Sequence, residues 1–359
     1  MSSATPVFDY SAGTAWIVTE AIEEVIEAAR DSDESVREAV QTEIVRQFRS
    51  NPDFRDRFKQ AYDRAGVNLA SVTVSGDPPR DDLLGWQARF DHTPWLRKVT
   101  SPEIAREVVA NGEIGIVLNT QNLGQAIGDD VDAIEGLYNG GLRLFQLTYN
   151  PQNLLGAGCY ARSDCGLSDL GVEAIERVND LGGLIDLSHC GRATTLDAID
   201  VSEEPVAITH AGCAAVAEHN RCKDDAVLEA LASVDGYMGI VGVPWFLAPD
   251  EDDPSLEVFF EHLEHAISIL GIDRVGIGTD FGHVDAAAPD AYLESAREYM
   301  INKGFPEDYG SGYGDGFGGM QRYTDWPVLR EELMNRYTAD EARGILGENF
   351  LSFWKRHGS

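Results

Sequence analysis

The chain has 359 residues, 43% of them hydrophobic, and its 61 acidic and 28 basic residues give a formal net charge of −33. A field this negative repels nucleic acid and anionic membranes, so neither is an expected partner. No apolar run reaches the roughly 18 residues that cross a bilayer. The N-terminus also lacks a basic stretch ahead of an apolar core, so we expect no signal peptide and a cytoplasmic location.

The composition also predicts the environment of the protein. An acidic surface of this kind repels itself in dilute buffer, and salt near 1 M screens that repulsion beyond about 3 Å. We therefore expect the cytoplasm of a high-salt organism, the alternative being an acidic protein from an ordinary cell. The five cysteines show no C-x-x-C zinc pattern, so they are expected to be reduced thiols that pack as small hydrophobic side chains.

The hydrophobic pattern predicts elements along the whole chain. Residues 6–16 predict a first strand with its exit loop, and 17–65 predict an extra N-terminal helical segment. Residues 67–74 predict a second strand, and 80–111 predict helix with a break before Pro102. From there strands and helices alternate. The further strands are expected at 114–118, 142–147, 184–187, 206–209, 237–243 and 275–278, and the helices near 129–139, 168–181, 191–199, 224–233 and 255–270.

Eight strands separated by helices favour an α/β fold, an eight-stranded parallel (β/α)8 barrel of the TIM type, built as one domain over residues 1–359. An open doubly wound sheet is the alternative, but the Gly-rich phosphate turn expected after its first strand is missing. Residues 282–326 are rich in Gly, Asp and Tyr and predict a long loop with one helix near 290–302, either a lid or a subunit contact. Residues 327–356 predict helices that close the barrel.

Five strand-like runs each end on a polar side chain, and these are Gln121, Tyr149, His189, His210 and Asp280. The carboxyl ends of barrel strands meet at one face, where catalytic side chains are placed. His189 and His210 lie 21 residues apart, about one strand–helix unit, so we expect them on neighbouring strands. Two imidazoles and the carboxylate of Asp280 can hold a divalent metal with a position left for water. The plainer alternative is a set of hydrogen-bonded polar side chains.

Other residues near these strand ends can bind a substrate. Arg221, in the segment HNRCK, would grip a substrate carboxylate with its planar fork, although a surface salt bridge is the ordinary role of an arginine. Tyr149 and Asn150 follow the fourth strand and either hydrogen-bond a substrate carbonyl or cap a loop. Gln121 is a neutral amide, so hydrogen bonding suits it better than metal ligation. His283 follows the eighth strand and is a further candidate for the pocket.

Six segments of the chain together resemble the membrane (renal) dipeptidase family of zinc peptidases. They are LRLFQLTYNPQNLLGAGC (142–159), GLIDLSHCGRATTLDAI (183–199), PVAITHAG (205–212), EHNRCKDD (218–225), GIDRVGIGTDF (271–281) and GILGENFLSFW (344–354). The resemblance covers most of the chain from about residue 100. It implies an eight-stranded α/β barrel and hydrolysis of a dipeptide or a similar amide. Family members are often dimers, so a homodimer is one option.

The resemblance also implies roles for individual residues. His189 and His210 match the two histidines of the family's second metal site, and Arg221 matches the arginine that binds the terminal carboxylate of the substrate. Asp280 matches the aspartate that handles the proton of the tetrahedral intermediate, so it is expected to be the catalytic acid and base rather than a firm metal ligand.

The chain departs from the family pattern where the first metal would bind. Ser11 and Gly13 align with a His-x-Asp pair, Gln121 aligns with the bridging glutamate, and Tyr149 aligns with the histidine that polarises the substrate. Two adjacent dications need anionic ligands to offset their repulsion, and these residues supply none. We therefore expect no dinuclear centre and at most one divalent metal, zinc in the first instance, bound by the two histidines.

Three functions are compatible with these residues. The first is a dipeptidase-like hydrolase with one metal, acting on a dipeptide or a small carboxylate-bearing amide. The second is a metal-free family member that binds or transforms a small carboxylate, with His189 and Asp280 as acid and base. The third is a structural protein, which the polar strand ends disfavour because apolar residues would stabilise those positions better.

Overall fold

The computed structural model describes most of the chain. The described residues are 5–10, 19–30, 35–75, 79–251, 254–281, 294, 297–298, 300–307, 317–318, 320 and 323–357. Ser11, Gly13 and His283 lie outside them, as does most of the long Gly-rich segment 282–326, so the predictions made for these positions stay predictions.

The described strands form one parallel sheet that curves into a barrel. The strands are β1 (Phe8–Asp9), β2 (Leu69–Thr73), β3 (Leu96–Lys98), β4 (Ile114–Thr120), β5 (Leu142–Gln146), β6 (Leu184–Asp186), β7 (Ala207–Cys213), β8 (Cys222–Lys223), β9 (Tyr237–Val241) and β10 (Val275–Gly278). Eight of them follow in the order β1-β2-β4-β5-β6-β7-β9-β10, while β3 pairs with β4 and β8 with β7. The predicted eight-stranded parallel barrel is confirmed.

Helices follow most strands and cover the outside of the barrel. They are α1 (Glu20–Arg30), α2 (Val36–Ser50), α3 (Pro52–Ala65), α4 (Arg80–His92), α5 (Pro102–Asn111), α6 (Leu123–Ile127), α7 (Ala133–Gly140), α8 (Asp169–Leu181), α9 (Arg192–Val201), α10 (Asp225–Ser233), α11 (Pro244–Leu247), α12 (Leu256–Leu270), α13 (Trp326–Arg336), α14 (Ala339–Arg343) and α15 (Asn349–His357). A π-helical turn, Gly344–Glu348, joins the last two. No described helix is both long and apolar enough to span a membrane.

Local sequence signals explain where the barrel helices begin and end. The side chains of Ser101, Ser168 and Asp224 accept hydrogen bonds from the first turns of α5, α8 and α10. Gly112 and Gly182 end α5 and α8 in the left-handed conformation, with φ of 68° and 75°. These caps fix the lengths of the helices and therefore the points at which the following strands start.

The structure differs from the prediction in the stretch 80–111, which was expected to be helical. It contains α4, the short strand β3 and α5, because Leu96 is buried and pairs with Ile114 of β4. Cys222 and Lys223, which lie between the strand predicted at 206–209 and the helix predicted near 224–233, form β8 beside Gly212 and Cys213. Strands this short carry too little alternation to be read from the pattern alone.

The barrel closes between β1 and β10 through a buried carboxylate. Asp9 accepts hydrogen bonds from the backbone N of Thr279 at 2.8 Å, from Thr279 Oγ1 at 2.6 Å and from Trp326 Nε1 at 3.3 Å. At the amino-terminal end, Phe350 of α15 stacks on Phe8 with centroids 4.2 Å apart. The C-terminal helices therefore close the barrel, as predicted, and the side chains of β1 and α13 join its two edges.

We expect the seam at Asp9 to make stability depend on pH. Burial is the main cause that raises the pKa of Asp9 to about 7. The folded protein therefore holds this proton more tightly than the unfolded chain, whose Asp pKa is about 3.9. The stability contributed by the protonated group is complete below that value and is lost as pH rises through about 7, by up to about 4 kcal/mol.

The variant Asp9→Asn removes the buried titrating group, and the exposed Asp180→Asn serves as its control. Urea unfolding from pH 4 to pH 8 should show that wild-type protein loses stability relative to Asp9→Asn as pH rises. Wild-type protein and Asp180→Asn should change in parallel. A constant difference between wild type and Asp9→Asn across this range would contradict the expectation.

Candidate functional site

The predicted site residues that follow β4, β5 and β6 meet His210, which lies within β7, at one mouth of the barrel. His189 Nε2 lies 3.1 Å from His210 Nε2, and Gln121 Nε2 lies 3.4 Å from the same His210 atom. Asn150 Oδ1 lies 2.8 Å from His189 Nδ1, and the Tyr149 ring stacks on His189 with centroids 4.2 Å apart. The structure thus places six of the seven predicted residues in contact, since Arg221 also donates to the backbone oxygen of His210.

A hydrogen-bond network fixes the tautomer of His210. Asp186, buried at the end of β6, accepts from Ser188 Oγ and Thr209 Oγ1 at 2.6 Å each and from Tyr10 Oη at 2.9 Å. A carboxylate only accepts, so the single hydroxyl hydrogen of Thr209 points to Asp186. Thr209 Oγ1 is also 2.9 Å from His210 Nδ1, and there it must accept. His210 therefore carries its proton on Nδ1 and directs the lone pair of Nε2 into the site.

The partners of His189 lead to the same arrangement. Its Nδ1 faces the amide oxygen of Asn150, which only accepts, so Nδ1 carries the proton and Nε2 presents a lone pair. Gln121 donates its amide hydrogen toward Nε2 of His210. Two imidazole lone pairs then face each other at 3.1 Å, an arrangement that only a cation or a shared proton between them makes favourable.

Both imidazoles are neutral at physiological pH. Burial is the first cause that holds the pKa of His189 and of His210 well below the usual range, and the positive charges of Arg221 and Lys223 lower them further. Lys223 is itself buried and donates to the backbone oxygen of Cys190 at 2.7 Å. Neutral imidazoles are the form that binds metal ions. The positive charges of Arg221 and Lys223 beside the imidazoles also attract an anionic ligand.

Arg221 is completely buried and lies directly behind His210. Its Nη2 donates to the backbone oxygen of His210 at 2.8 Å, and its guanidinium lies over the Phe246 ring, 4.8 Å from the centroid. Nε and Nη1 have no hydrogen-bond partner among the described residues. Burying such donors unpaired is costly, so the arrangement suits an anion that completes them. The alternative role, a surface salt bridge, does not fit this buried position.

Asp280 follows β10 and lies beside Tyr10, the residue that follows β1. Its backbone N is 3.5 Å from the carbonyl oxygen of Tyr10, and its φ of 58° is in the left-handed region that side-chain-bearing residues seldom adopt. Its charge contributes to raising the pKa of Asp9 and of Tyr10, after burial. Tyr10 stacks on His210 with ring centroids 5.2 Å apart, so Asp280 and the imidazole pair share Tyr10 as a neighbour.

Tyr10 and Asp186 also belong to the site, although the sequence pattern did not predict them. Asp186 lies in LIDLSH, where a carboxylate inside an apolar strand signals a buried polar network. Tyr10 could not be found in this way, because its partner Asp186 is 176 residues distant in the chain. Tyr10 stacks on the His210 ring, and Asp186 binds Thr209, which contacts His210 Nδ1.

The described residues at the mouth offer few side chains that could hold a metal ion. Among the residues that the structure describes, no group of three or more His, Cys, Asp or Glu is placed to hold a metal. The five cysteines are free, with Cys190 and Cys213 buried and Cys165 exposed. Among the described residues, the two imidazole nitrogens of His189 and His210 are therefore the clearest candidate ligands.

Comparison with known proteins places this site in a family context. The family model of the membrane dipeptidases, peptidase family M19, matches residues 87–299. Dipeptidase verJ of Clonostachys rogersoniana is 32% identical over 255 residues, 70% of this chain and 57% of that protein. The uncharacterized dipeptidase C965.12 of Schizosaccharomyces pombe is 28% identical over 253 residues, 68% of this chain and 54% of that protein. The matched region thus spans little more than half of these relatives.

A solved structure shows the same fold over nearly the whole chain. An amidohydrolase from Pseudomonas aeruginosa superimposes with a TM-score of 0.75 at 24% sequence identity, covering 98% of this chain and 96% of that one. At this identity the similarity establishes the barrel fold.

Proposed function

Because this chain belongs to the membrane dipeptidase family, peptidase family M19, we propose that it hydrolyses a dipeptide or another small amide that carries a free carboxylate. One observation carries the proposal. The buried guanidinium of Arg221 leaves Nε and Nη1 without a partner among the described residues, while its Nη2 is bound to the backbone of His210. A carboxylate on Arg221 therefore lies next to the imidazole pair.

The residues of this chain divide the work of binding and proton transfer. Arg221 grips the carboxylate, and Asn150 orients His189 through Nδ1. The amide nitrogen of Asn150 is buried without a partner among the described residues, so it can donate to the substrate carbonyl. Tyr149 holds the ring of His189 by stacking. Asp280 takes the proton during attack and returns it to the leaving amine.

The histidine pair fits a single divalent ion such as zinc. Two Zn–N bonds of about 2.0–2.1 Å meeting at a roughly tetrahedral angle place the nitrogens about 3.3 Å apart. The Nε2 atoms of His189 and His210 are 3.1 Å apart, and both tautomers leave Nε2 unprotonated. When bound, such an ion polarises the carbonyl to be cleaved and makes water acidic enough to attack near neutral pH.

The opposite side of the pair does not fit a second ion. Gln121, which occupies the position of the bridging glutamate in the resemblance, presents its amide nitrogen to His210 at 3.4 Å. A neutral amide cannot offset the repulsion between two dications. The proposed enzyme therefore works with at most one metal.

A metal-free family member is the second candidate, and a specific observation favours it. Among the described residues, no further His, Cys, Asp or Glu is placed to complete a metal site with the histidine pair. Such a protein would bind a small carboxylate at Arg221 and either transform it with His189 and Asp280 or only sequester it.

Hydrolysis assays before and after chelation separate the two candidates. Protein purified in about 2 M KCl is given Ala-Xaa dipeptides, and the released amino acid is measured with and without dialysis against a chelator. The proposed enzyme cleaves them, loses activity on chelation and regains it with zinc. Carboxylate binding without cleavage under every condition would identify the metal-free binding protein instead.

The proposed setting is the cytoplasm of a high-salt organism, on the strength of the net charge of −33. We expect the midpoint of thermal unfolding to rise by at least about 10 °C between 0.1 M and 2 M KCl, because screening removes the self-repulsion of the acidic surface. Sodium sulfate and KCl compared at equal ionic strength control for general salting-out. An unfolding midpoint that is the same in both KCl concentrations would count against this setting.

A further inference from the structure

The short segment Met300–Phe305 packs onto the mouth of the barrel. Tyr149 Oη lies 3.9 Å from Met300 Sδ, and Lys303 Nζ donates to Gln125 at 3.2 Å. Gly304 has a φ of 89°, and a Cβ at this position would lie 3.0 Å from Pro151 Cδ. Glycine therefore permits both the left-handed turn and the close approach to the loop after β5. The turn directs the next side chain, Phe305, over the site.

Phe305 lies at the centre of a group of aromatic side chains. Its ring centroid is 5.6 Å from that of Tyr160, 6.0 Å from that of Tyr149 and 6.2 Å from that of Phe246. It meets His189 edge-on at 6.5 Å. Only 4% of its surface is exposed, whereas Tyr149 and Tyr160 are half-buried and keep part of their surface accessible.

The group continues along the mouth through His219 and Trp245. His219 Nε2 lies 3.2 Å from Tyr160 Oη, and the His219 and Trp245 ring centroids are 4.8 Å apart. Burial and the nearby Arg221 charge lower the pKa of His219 to about 4, so it is uncharged at neutral pH. We call Tyr149, Tyr160, Trp245, Phe246 and Phe305 the aromatic wall.

The aromatic wall adjoins the carboxylate clamp. Phe246 is part of the wall, and the guanidinium of Arg221 lies over its ring at 4.8 Å. In an amino acid the side chain and the carboxylate branch from one carbon atom. A carboxylate bound at Arg221 therefore places the neighbouring side chain within a few ångströms of the wall. The five side chains of the wall are aromatic and uncharged, which favours apolar contacts with the substrate.

We propose that the aromatic wall is the subsite for a large apolar or aromatic side chain on the carboxylate-bearing residue of the substrate, and that Phe305 sets the size of that side chain. The inference rests on the proposed role of Arg221 and names the substrate class for it. The preference for a large apolar side chain depends on Phe305. This residue lies after the matched region 87–299 and outside the β–α units that carry the other site residues.

Steady-state kinetics with a dipeptide series test the preference directly. Ala-Xaa substrates in each stereochemical form, with Xaa as Gly, Asp, Lys, Leu, Phe or Trp, are compared in about 2 M KCl. Wild-type protein should favour Phe or Leu over Gly, Asp and Lys by at least about tenfold in kcat/KM. Phe305→Ala should raise the Trp-to-Phe ratio of kcat/KM about tenfold, because the space left by the ring admits the larger indole.

The matched control is Phe259→Ala, which removes an equally buried phenylalanine that packs against Phe260 and Phe317. It should leave the Trp-to-Phe ratio at the wild-type value. Phe305→Leu and Phe259→Leu form a milder pair if either alanine variant fails to fold.

Binding measurements make the subsite testable without catalysis. Isothermal titration with propanoate, 3-phenylpropanoate and 3-(indol-3-yl)propanoate should show the phenyl compound binding wild-type protein at least about tenfold more tightly than propanoate. In Phe305→Ala the indole compound should gain affinity relative to the phenyl compound. These ratios without any hydrolysis would support the subsite and refute the proposed hydrolase. Hydrolysis without a side-chain preference, or equal ratios in Phe305→Ala and Phe259→Ala, would overturn the subsite.

Discussion

Arg221→Met should lower kcat/KM for a carboxylate-bearing dipeptide about a thousandfold and leave the melting temperature equal or higher. Two hydrogen bonds to a charged group are worth about 1.5–3 kcal/mol each, and about 4 kcal/mol corresponds to that factor. The stability expectation follows from the free protein, in which the guanidinium is fully buried and two of its nitrogens have no partner among the described residues. An apolar side chain of similar length removes this cost.

Two further variants test whether substrate binding needs the planar pair of guanidinium donors of Arg221 or only its positive charge. Arg221→Lys keeps a positive charge but loses the planar pair of donors, so kcat/KM should fall at least about tenfold. Arg336→Met removes a surface arginine that pairs with Glu257 on the outside of the barrel, and it should leave kcat/KM unchanged. Melting curves in matched KCl accompany each assay. An Arg221→Met protein that keeps full kcat/KM, or that unfolds well below wild type, would show that Arg221 is structural.

Wild-type protein should bind about one zinc ion per chain, and His189→Ala or His210→Ala should reduce this to less than about a tenth. Removing one imidazole leaves a single strong ligand beside neutral groups, which is too few for a stable site. Elemental analysis of protein that has been loaded with zinc and freed of excess by gel filtration provides the count independently of activity. His265→Ala is the control, since His265 lies on α12 and pairs with Asp225 outside the site.

Gln121→Glu extends the same experiment in the opposite direction. The amide nitrogen of Gln121 is 3.4 Å from His210 Nε2, so glutamate would bring an anionic oxygen to the edge of the histidine pair. We expect zinc affinity to rise at least about tenfold, since a carboxylate is a stronger zinc ligand than an amide. Two zinc ions per wild-type chain would contradict the single-metal proposal. A zinc-free wild-type protein that still cleaves dipeptides would exclude a role for the metal.

The histidine pair illustrates what can be read from one sequence. His189 and His210 each end an apolar run, and their separation of one strand–helix unit predicts neighbouring strands. The structure places their Nε2 atoms 3.1 Å apart. The prediction succeeded because both residues belong to consecutive units of a regular parallel sheet, in which position along the chain determines position at the mouth.

The sequence pattern could not predict the direction in which each imidazole lone pair points. It depends on Asn150 for His189 and on Thr209 and Asp186 for His210. A hydrogen-bond network is defined by distances through space, and the pattern of hydrophobic and polar residues carries no information on which donor meets which acceptor. The same reason explains why Tyr10, which binds Asp186 across the barrel, was missed.

The sequence by itself determined the barrel and the polar residues near its strand ends, because these depend on periodicity and residue type. Only the tertiary structure decided that Arg221 is buried with unpaired donors and that Phe305 covers His189. Both facts arise where segments distant in the chain pack together and exclude water. Burial, unlike strand periodicity, is a property of the assembled barrel rather than of any local stretch.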